Sequence, residues 1–420
     1  MHIQVGPLRP MQRNIEEIKH HSGLTILFEP ATCFQTLSIN CWLQVGSSDE
    51  LPGQYGQAHF LEHMLFTGSH QKSNIEMMQS LQEVGGYTNA FTTYDHTGYE
   101  CVVPIAHAEK GFEWIQQVIL EPVFDQAQIR KEKKVILEEY TDGQDQPELV
   151  FEESFWQKVY QDQTLALPIL GQPDDINAVT AESLQDFYEC YYQPSQMVLS
   201  ICGNLSKDQV KKWLAQYVTP FLGSKQQDVP PLRPCVFSPV RFDYQAGHQQ
   251  RKLAYLFAGV PTLHQDVMAL ELLSACLGGG EYSYLFQDLR QEKQWVSHAH
   301  AHLFISRAGG HLGMELVPFQ DRVDDVQTHI ENMLKNFTWI TDDMITWAKK
   351  DLEKEVLYSL DSSWGRSKLN VYFGLVFADA YQQHQYYQDL QKLTRDDLQR
   401  VFEKYLQKPY ALGCWKAKDD

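Results

Sequence analysis

Residues 57–69, QAHFLEHMLFTGS, hold the pattern of side chains around which the rest of the chain is interpreted. Within them, His59, Glu62 and His63 form a His-x-x-Glu-His motif. On an α-helix, side chains four residues apart share a face, so both imidazoles can reach one metal ion, as zinc sites commonly require. Glu62 lies beside that face, where a carboxylate can take a proton from water. The alternative is a buried apolar helix, in which unpaired polar side chains would be costly.

Composition indicates a large globular protein and argues against several classes of partner. A chain of 420 residues is long for one hydrophobic core, and 43% hydrophobic residues suffice for well-packed domains. The net charge of −19 disfavours nucleic acid and anionic membranes as partners, since both bind basic patches. The sequence contains no run of 18 apolar residues, so no membrane span is predicted.

The eight cysteines contain no C-x-x-C pair, which is typical of buried free thiols. Without a visible signal peptide we expect a cytoplasmic location, with the periplasm or an organelle as alternatives.

An internal repeat predicts that the chain contains two copies of one fold. The segment from Thr180 has the pattern of a capped amphipathic helix, a proline turn and a strand, and the segment from Thr394 repeats it. The matched residues, at one constant offset, are Leu184 with Leu398, Phe187 with Val401, Tyr188 with Phe402, Glu189 with Glu403, and Tyr191 with Tyr405. We therefore predict a metal-bearing domain at 1–220, a Pro-rich linker at 221–240, and a homologous domain without the metal motif at 241–420.

Strand and helix patterns occur in both halves, which predicts an α+β fold. We expect each domain to be a mainly antiparallel β-sheet packed with α-helices. Strands are indicated by period-two alternation and by Thr, Tyr and Phe enrichment, and helices by a period near 3.6 residues. The predicted strands cover residues 22–46, 87–103 and 252–260, and further helices are predicted at 74–84, 108–120, 125–141 and 265–277.

A catalytic zinc ion usually has three protein ligands, so the motif predicts a third ligand elsewhere in the chain. In the predicted helix at 125–141, Glu132 and Glu139 share one face with apolar residues. Seven residues, about 10 Å along a helix, separate them, so both cannot easily bind one ion. We assign Glu139 as the ligand and Glu132 as a residue that orients a ligand or holds an ordered water. Glu138 is the rival, but it points about 100° away from that face.

The segments GGYTNAFTTYDHT, EKKVILEEY and LGGGEYSYLFQDLR, taken with the motif, resemble the inverzincin metallopeptidase family of pitrilysin, insulysin and the mitochondrial processing peptidase. The resemblance covers nearly the whole chain. It implies a short two-domain subunit that pairs with another into a chamber and hydrolyses peptide bonds. It places one Zn²⁺ per chain on His59, His63 and Glu139, the catalytic base on Glu62, and a second catalytic glutamate on Glu132.

The same resemblance implies where the substrate binds. It assigns the segment Asn89, Ala90, Phe91 and Thr92 to an edge strand, along which an extended peptide would add as a further strand. The expected activity is therefore that of a zinc metalloendopeptidase acting on extended peptides.

The second half departs from the family pattern at two positions. Family members place an Arg and a Tyr over the substrate carbonyl from this half, usually that of a partner chain. Here Tyr284 stands at the Arg position and Ser297 at the Tyr position. We therefore predict a heterodimer with a homologous subunit that carries the Arg/Tyr pair, with a homodimer as the alternative. Alternative functions are a non-catalytic or peptide-binding assembly subunit of the same fold.

Two further polar groups are interpreted without a catalytic role. His298, His300 and His302 alternate, so a strand would place all three on one face. A face that lines the chamber is preferred over a second metal site, because no carboxylate or cysteine is near in sequence. Asp95 and His96 are interpreted as a pair at the end of a strand.

Overall fold

The structure is a computed structural model that describes residues 13–221, 228–245 and 251–416. It confirms the predicted α+β class, with two domains that each contain a sheet packed with helices. The N-terminal residues 1–12, part of the predicted linker (222–227), residues 246–250 and the C-terminal residues 417–420 lie outside the described ranges. The linker residues 228–240 form no helix or strand. The predicted domain limits stay predictions.

The first sheet is formed by six strands of the N-terminal half. They are β1 (Glu16–Lys19), β2 (Thr25–Pro30), β3 (Thr36–Leu43), β4 (Tyr87–Thr92), β5 (Thr97–Pro104) and β6 (Met197–Gly203). Their order is β1-β2-β6-β3-β5-β4. Only β2 and β6 run parallel to each other, so the sheet is mainly antiparallel, as predicted. The strand β4 lies at one edge.

The second sheet repeats this arrangement with five strands. They are β7 (Arg241–Gln245), β8 (Lys252–Ala258), β9 (Val296–Ser306), β10 (Gly309–Pro318) and β11 (Ala411–Lys416). Their order is β7-β11-β8-β10-β9, with β7 and β11 as the parallel pair. The strand β7 precedes the strand predicted to open this half. By its place in the order, β9 is the counterpart of β4.

The helices that were predicted lie close to their expected positions, and the structure contains further helices that were not predicted. In the first half they are α1 (Gln57–Leu65), α2 (Asn74–Gln82), α3 (Ala108–Ile115), α4 (Gln126–Gln144), α5 (Pro147–Tyr160), α6 (Pro173–Ala178), α7 (Ala181–Tyr191) and α8 (Lys207–Trp213). In the second half they are α9 (Val267–Gly278), α10 (Val323–Met333), α11 (Asp342–Ser359), α12 (Ser363–Val376), α13 (Gln382–Lys392) and α14 (Arg395–Val401). The repeat is visible at atomic level, because the hydroxyls of Thr180 and Thr394 cap α7 and α14 in the same way.

One face of each sheet is covered by a helix that belongs to the other half of the chain. The helix α12 packs on the first sheet, where Val371 contacts a cluster that contains Leu27 and Trp42. The helix α5 packs on the second sheet, where the ring of Phe155 stacks on Phe242 with centroids 6.0 Å apart. This exchange joins the halves through buried apolar surface, so the placement of each sheet depends on the other half.

Two expectations drawn from composition can be compared with the structure. Within the described ranges, no helix has both the length and the apolar character needed to cross a membrane. The eight cysteines are free, as expected, but not all are buried: Cys33 is exposed, and Cys190 and Cys235 are half-buried. None of them is among the three residues that cluster as candidate metal ligands.

Candidate metal centre

The helix α1 is held in place by a buried carboxylate at its N-terminus. The first backbone N–H groups of a helix have no partner within the helix. Here Glu50 supplies partners, because its two oxygens accept hydrogen bonds from the backbone N–H groups of Gly56 and Ala58, each at 2.8 Å. The side chain is buried, and this burial raises the pKa of Glu50 well above its usual value despite both hydrogen bonds.

A close backbone contact fixes the entry into α1. Gly56 adopts a left-handed conformation, with φ at 80°, immediately before the helix. A Cβ atom at this position would lie 2.4 Å from the carbonyl oxygen of Leu170. Gly171, also left-handed, lies against the same turn. Only glycine combines the positive φ with so close an approach, so the loop around Leu170 clamps the start of α1.

The structure brings His59, His63 and Glu139 together, with one potential ligand atom of each within 4.8 Å of the others. The Nε2 atoms of His59 and His63 lie 4.0 and 3.5 Å from Oε2 of Glu139. Donor atoms of a tetrahedral zinc site stand about 3.3–3.6 Å apart at ordinary bond lengths, and the two distances to Glu139 are close to that range. Two imidazoles and one carboxylate are also a donor set that catalytic zinc sites use. The residues therefore fit zinc.

Helix α4 supplies both glutamates from its predicted face. Ile129 and Ile136 on that face are buried in the first core. Glu132 lies behind His63, whose Nδ1 donates to its Oε2 at 3.4 Å, as a residue that orients a ligand would. The side chain of Glu139 is 43% exposed, so the cluster opens to solvent on that side.

The two histidines differ in their electrostatic environment. Burial and the neighbouring His63 lower the pKa of His59 to about 3, so its ring is neutral at pH 7 and can bind a metal ion. Burial also lowers the pKa of His63, but the bond to Glu132 and the nearby carboxylates outweigh it, and the net pKa is raised. His63 therefore holds a proton more readily than His59, and a metal ion that binds here would have to displace that proton.

Glu62 lies beside the cluster, between the metal helix and the edge strand. The hydroxyl of Thr92, at the end of β4, donates to Oε2 of Glu62 at 2.6 Å. Burial raises the pKa of Glu62, and the charge of Glu139 adds to this, while the Thr92 bond and His63 oppose it. A carboxylate with a raised pKa exchanges protons more readily near neutral pH, which suits a general base.

The predicted substrate segment, Asn89 to Thr92, lies within β4 at the open edge of the first sheet. Among the described residues, β4 pairs with β5 alone. Thr92 is the point of contact with Glu62, and Asn89 is exposed. The geometry that peptide addition to an edge requires is present, and its use by a substrate stays a prediction.

The two positions that depart from the family pattern make contacts within the second half. The hydroxyl of Tyr284 lies 3.2 Å from Nε2 of His329, and Ser297 donates to the carbonyl of Val317 at 3.2 Å. The position at which the family pattern has Arg is thus occupied by Tyr284, and the position at which it has Tyr is occupied by Ser297.

The alternating histidines lie on one exposed or half-buried face of β9, with buried Ala299 and Ala301 on the other face. Their ring centroids are 6.3 Å apart for His298 and His300, and 5.9 Å for His300 and His302. In the part of the chain that the structure describes, only the cluster around Glu139 gathers three potential ligand atoms.

Sequence reasoning missed Glu50 and the part that Thr92 plays in holding Glu62. An acidic residue shortly before a helix is a common helix-start signal, but nothing in the sequence shows that Glu50 folds back over six residues onto Gly56. The sequence also gave no indication that Arg307 of the second half reaches Asp49. These contacts depend on the path of the loops.

Residues 26–173 match the family described as Insulinase (Peptidase family M16), and residues 178–346 match the family described as Peptidase M16 inactive domain. An uncharacterized zinc protease of Rickettsia bellii is 30% identical over 290 residues, covering 67% of this chain and 68% of that protein. Another, of Mycobacterium leprae, is 28% identical over 363 residues, covering 83% and 81%. A third, of Bacillus subtilis, is 30% identical over 275 residues, covering 65% and 66%.

Solved structures show the same fold. A protease from Helicobacter pylori superimposes with a TM-score of 0.87 at 21% identity, covering 96% of this chain and 99% of that chain. A peptidase M16 inactive domain from Pseudomonas fluorescens gives 0.86 at 17% identity, covering 96% and 98%. At these identities the likeness concerns the fold alone.

The clamp at Gly56 predicts a difference between two left-handed glycines. Gly53 has φ at 88° but no atom within 4 Å of its Cβ position. Gly53→Ala should therefore cost about 1–2 kcal/mol of unfolding free energy, from backbone strain alone. Gly56→Ala should cost at least about 1 kcal/mol more, because of the clash with Leu170. Chemical denaturation measures both, and only Gly56→Ala should weaken zinc binding. Equal costs and unchanged zinc affinity would contradict the clamp.

Proposed function

Because the chain belongs to peptidase family M16, as the resemblance of its motifs predicted, we propose that it is a zinc-dependent endopeptidase that cleaves extended peptides. The observation that carries the proposal is the convergence of His59, His63 and Glu139 beside Glu62, at the end of an open edge strand. The relatives named zinc proteases support the choice of metal and the class of reaction.

In this proposal His59, His63 and Glu139 hold one zinc ion, which, when bound, supplies Lewis-acid chemistry at the substrate carbonyl. Glu62 takes a proton from the attacking water and delivers it to the nitrogen of the leaving amine. Thr92 holds one oxygen of Glu62, which limits the rotation of the carboxylate. Glu132 orients the ring of His63 through Nδ1.

The substrate would bind as an additional strand on β4. Backbone hydrogen bonds along Asn89, Ala90 and Phe91 would hold a peptide in extended form and direct it toward Thr92 and Glu62. A folded protein cannot present such a strand, so the proposal predicts unfolded segments or short peptides as substrates.

We further propose that the active form is a heterodimer. Electrostatic donors over the substrate carbonyl are commonly worth orders of magnitude in rate, and this chain has Tyr284 and Ser297 where the family pattern places Arg and Tyr. A homologous subunit with that pair would complete the site from across the chamber. A homodimer is the alternative assembly. The alternative function is that of a non-catalytic assembly subunit, which would not require an intact Glu62.

Two adjacent glutamates provide a matched test of the metal ligands. Glu139→Ala removes a proposed ligand, whereas Glu138→Ala removes its exposed neighbour on α4. Purified unmodified protein and Glu138→Ala should each bind one zinc per chain, measured by elemental analysis and by competition with a chelator. Glu139→Ala should bind zinc at least about tenfold more weakly. Equal zinc affinity of the two variants would show that Glu139 is not a ligand.

Glu62→Gln tests catalysis separately from metal binding. The amide is nearly isosteric and cannot accept the proton, so kcat should fall by about 10²–10⁴ while one zinc stays bound. Peptidase assays should be run on the chain alone and mixed with homologous subunits that carry the Arg/Tyr pair. Full activity of the chain alone would overturn the heterodimer. Zinc binding without turnover in any pairing would overturn the enzyme and favour the assembly subunit.

A further inference from the structure

The tip of the β9–β10 hairpin in the second half contacts the first half through Arg307. This residue lies in the turn between Ser306, where β9 ends, and Gly309, where β10 begins. Its backbone N–H donates to both carboxylate oxygens of Asp95, at 3.0 and 2.8 Å. Its Nη2 donates to Oδ2 of Asp49 at 2.5 Å and to the carbonyl oxygen of Asp95 at 3.0 Å. One residue thus contacts two loops of the metal-bearing half.

The two contacted loops border the candidate metal centre. Asp49 directly precedes Glu50, whose carboxylate holds the N-terminus of α1. Asp95 follows β4, the strand whose final residue, Thr92, holds Glu62. Displacement of either loop would therefore move the metal helix relative to the edge strand.

The same loops are also linked to each other by backbone hydrogen bonds. The N–H groups of Ser47 and Ser48 donate to the carbonyl oxygens of Thr93 and Tyr94, at 3.0 and 2.9 Å. These bonds align the loops side by side, and the guanidinium of Arg307 spans them from outside. The arrangement is a three-part junction, in which the hairpin tip comes from the second half and both loops come from the first.

The guanidinium of Arg307 compensates the negative charges of two carboxylates at the junction. The side chain of Asp49 is only 3% exposed, and burial of an unpaired carboxylate is costly. Burial raises the pKa of both Asp49 and Asp95, and Arg307 counteracts this at each of them. Without the guanidinium, two adjacent carboxylates would be left close together, and the loops would relax apart or take up water.

We propose that Arg307 is a positioning residue for the metal centre, through which the half without the metal motif holds the start of α1 and the end of β4 in register. The residue touches neither the proposed ligands nor Glu62, and it acts through Asp49 and Asp95. The inference rests on the proposed function only in that the centre binds zinc.

The central experiment compares two arginine deletions in the second half. Arg307→Ala removes the guanidinium contacts with Asp49 and the Asp95 carbonyl but keeps the backbone N–H bonds to the Asp95 carboxylate. Arg322→Ala removes an exposed arginine whose ion pairs, within the described residues, are with neighbouring Asp321 and Asp325. Zinc affinity, measured by competition with a chelator, should fall about tenfold in Arg307→Ala and stay unchanged in Arg322→Ala. In metal-free protein, hydrogen exchange of the amides of Gly56 and Ala58 should become faster in Arg307→Ala alone, because their contact with Glu50 loosens.

Two further variants separate positioning from general stabilisation. In an Asp49→Ala background, addition of Arg307→Ala should lower zinc affinity by less than it does in the unmodified chain, because the Asp49 contact has already been lost and only the contact with the Asp95 carbonyl remains. Arg307→Lys should recover part of the affinity, since one ammonium can pair with Asp49 but cannot also hold the Asp95 carbonyl.

The outcomes distinguish this inference from the proposed function. Arg307→Ala could lower the melting temperature but leave zinc affinity and hydrogen exchange at α1 unchanged. That result would show that Arg307 only stabilises the contact between the halves, and it would overturn the inference. If the unmodified chain binds zinc but cleaves no peptide in any pairing, the proposed function fails while the zinc arm still tests Arg307. If it binds no zinc, the function fails, and unchanged exchange at α1 would overturn the inference as well.

Discussion

The placement of α1 depends on one buried carboxylate, that of Glu50. Two N–H groups at the start of a helix must find partners. Glu50 supplies both, and its burial is tolerated because each oxygen accepts a backbone hydrogen bond. With the left-handed turn at Gly56, this contact sets the direction of the helix from which His59, Glu62 and His63 project.

Within the described residues, the three side chains that cluster as candidate metal ligands all belong to the first half, and the second half contributes structural support. Its helix α12 covers the first sheet, and the first half returns the helix α5 to the second sheet. The Arg307 hairpin adds a polar contact close to the centre. Because burial of apolar surface is the main stabilising term, neither sheet would keep its covered face in the absence of the other half. The motif-free half is therefore part of the framework that positions the site.

The sequence allowed much of this to be predicted, for reasons that can be stated. Helical periodicity is local, so the shared face of His59 and His63, and that of Glu132 and Glu139, followed from residue spacing. The repeat identified two halves before either sheet was known, and Thr180 and Thr394 turned out to cap equivalent helices. The resemblance to a peptidase family was confirmed by matches over both halves. The roles of the site residues, the substrate strand and the heterodimer stay predictions.

The sequence by itself determined the residues that can bind a metal ion, the α+β class and the duplication, because these depend on side-chain chemistry and short-range periodicity. Only the tertiary structure decided that Glu139 meets the two histidines, that Glu50 anchors their helix, and that Arg307 reaches the loops beside them. These contacts join segments far apart in the chain, through loops whose path is set by packing and by single positive-φ glycines. No local pattern encodes such a path, because its direction results from the balance of all the surfaces that it joins.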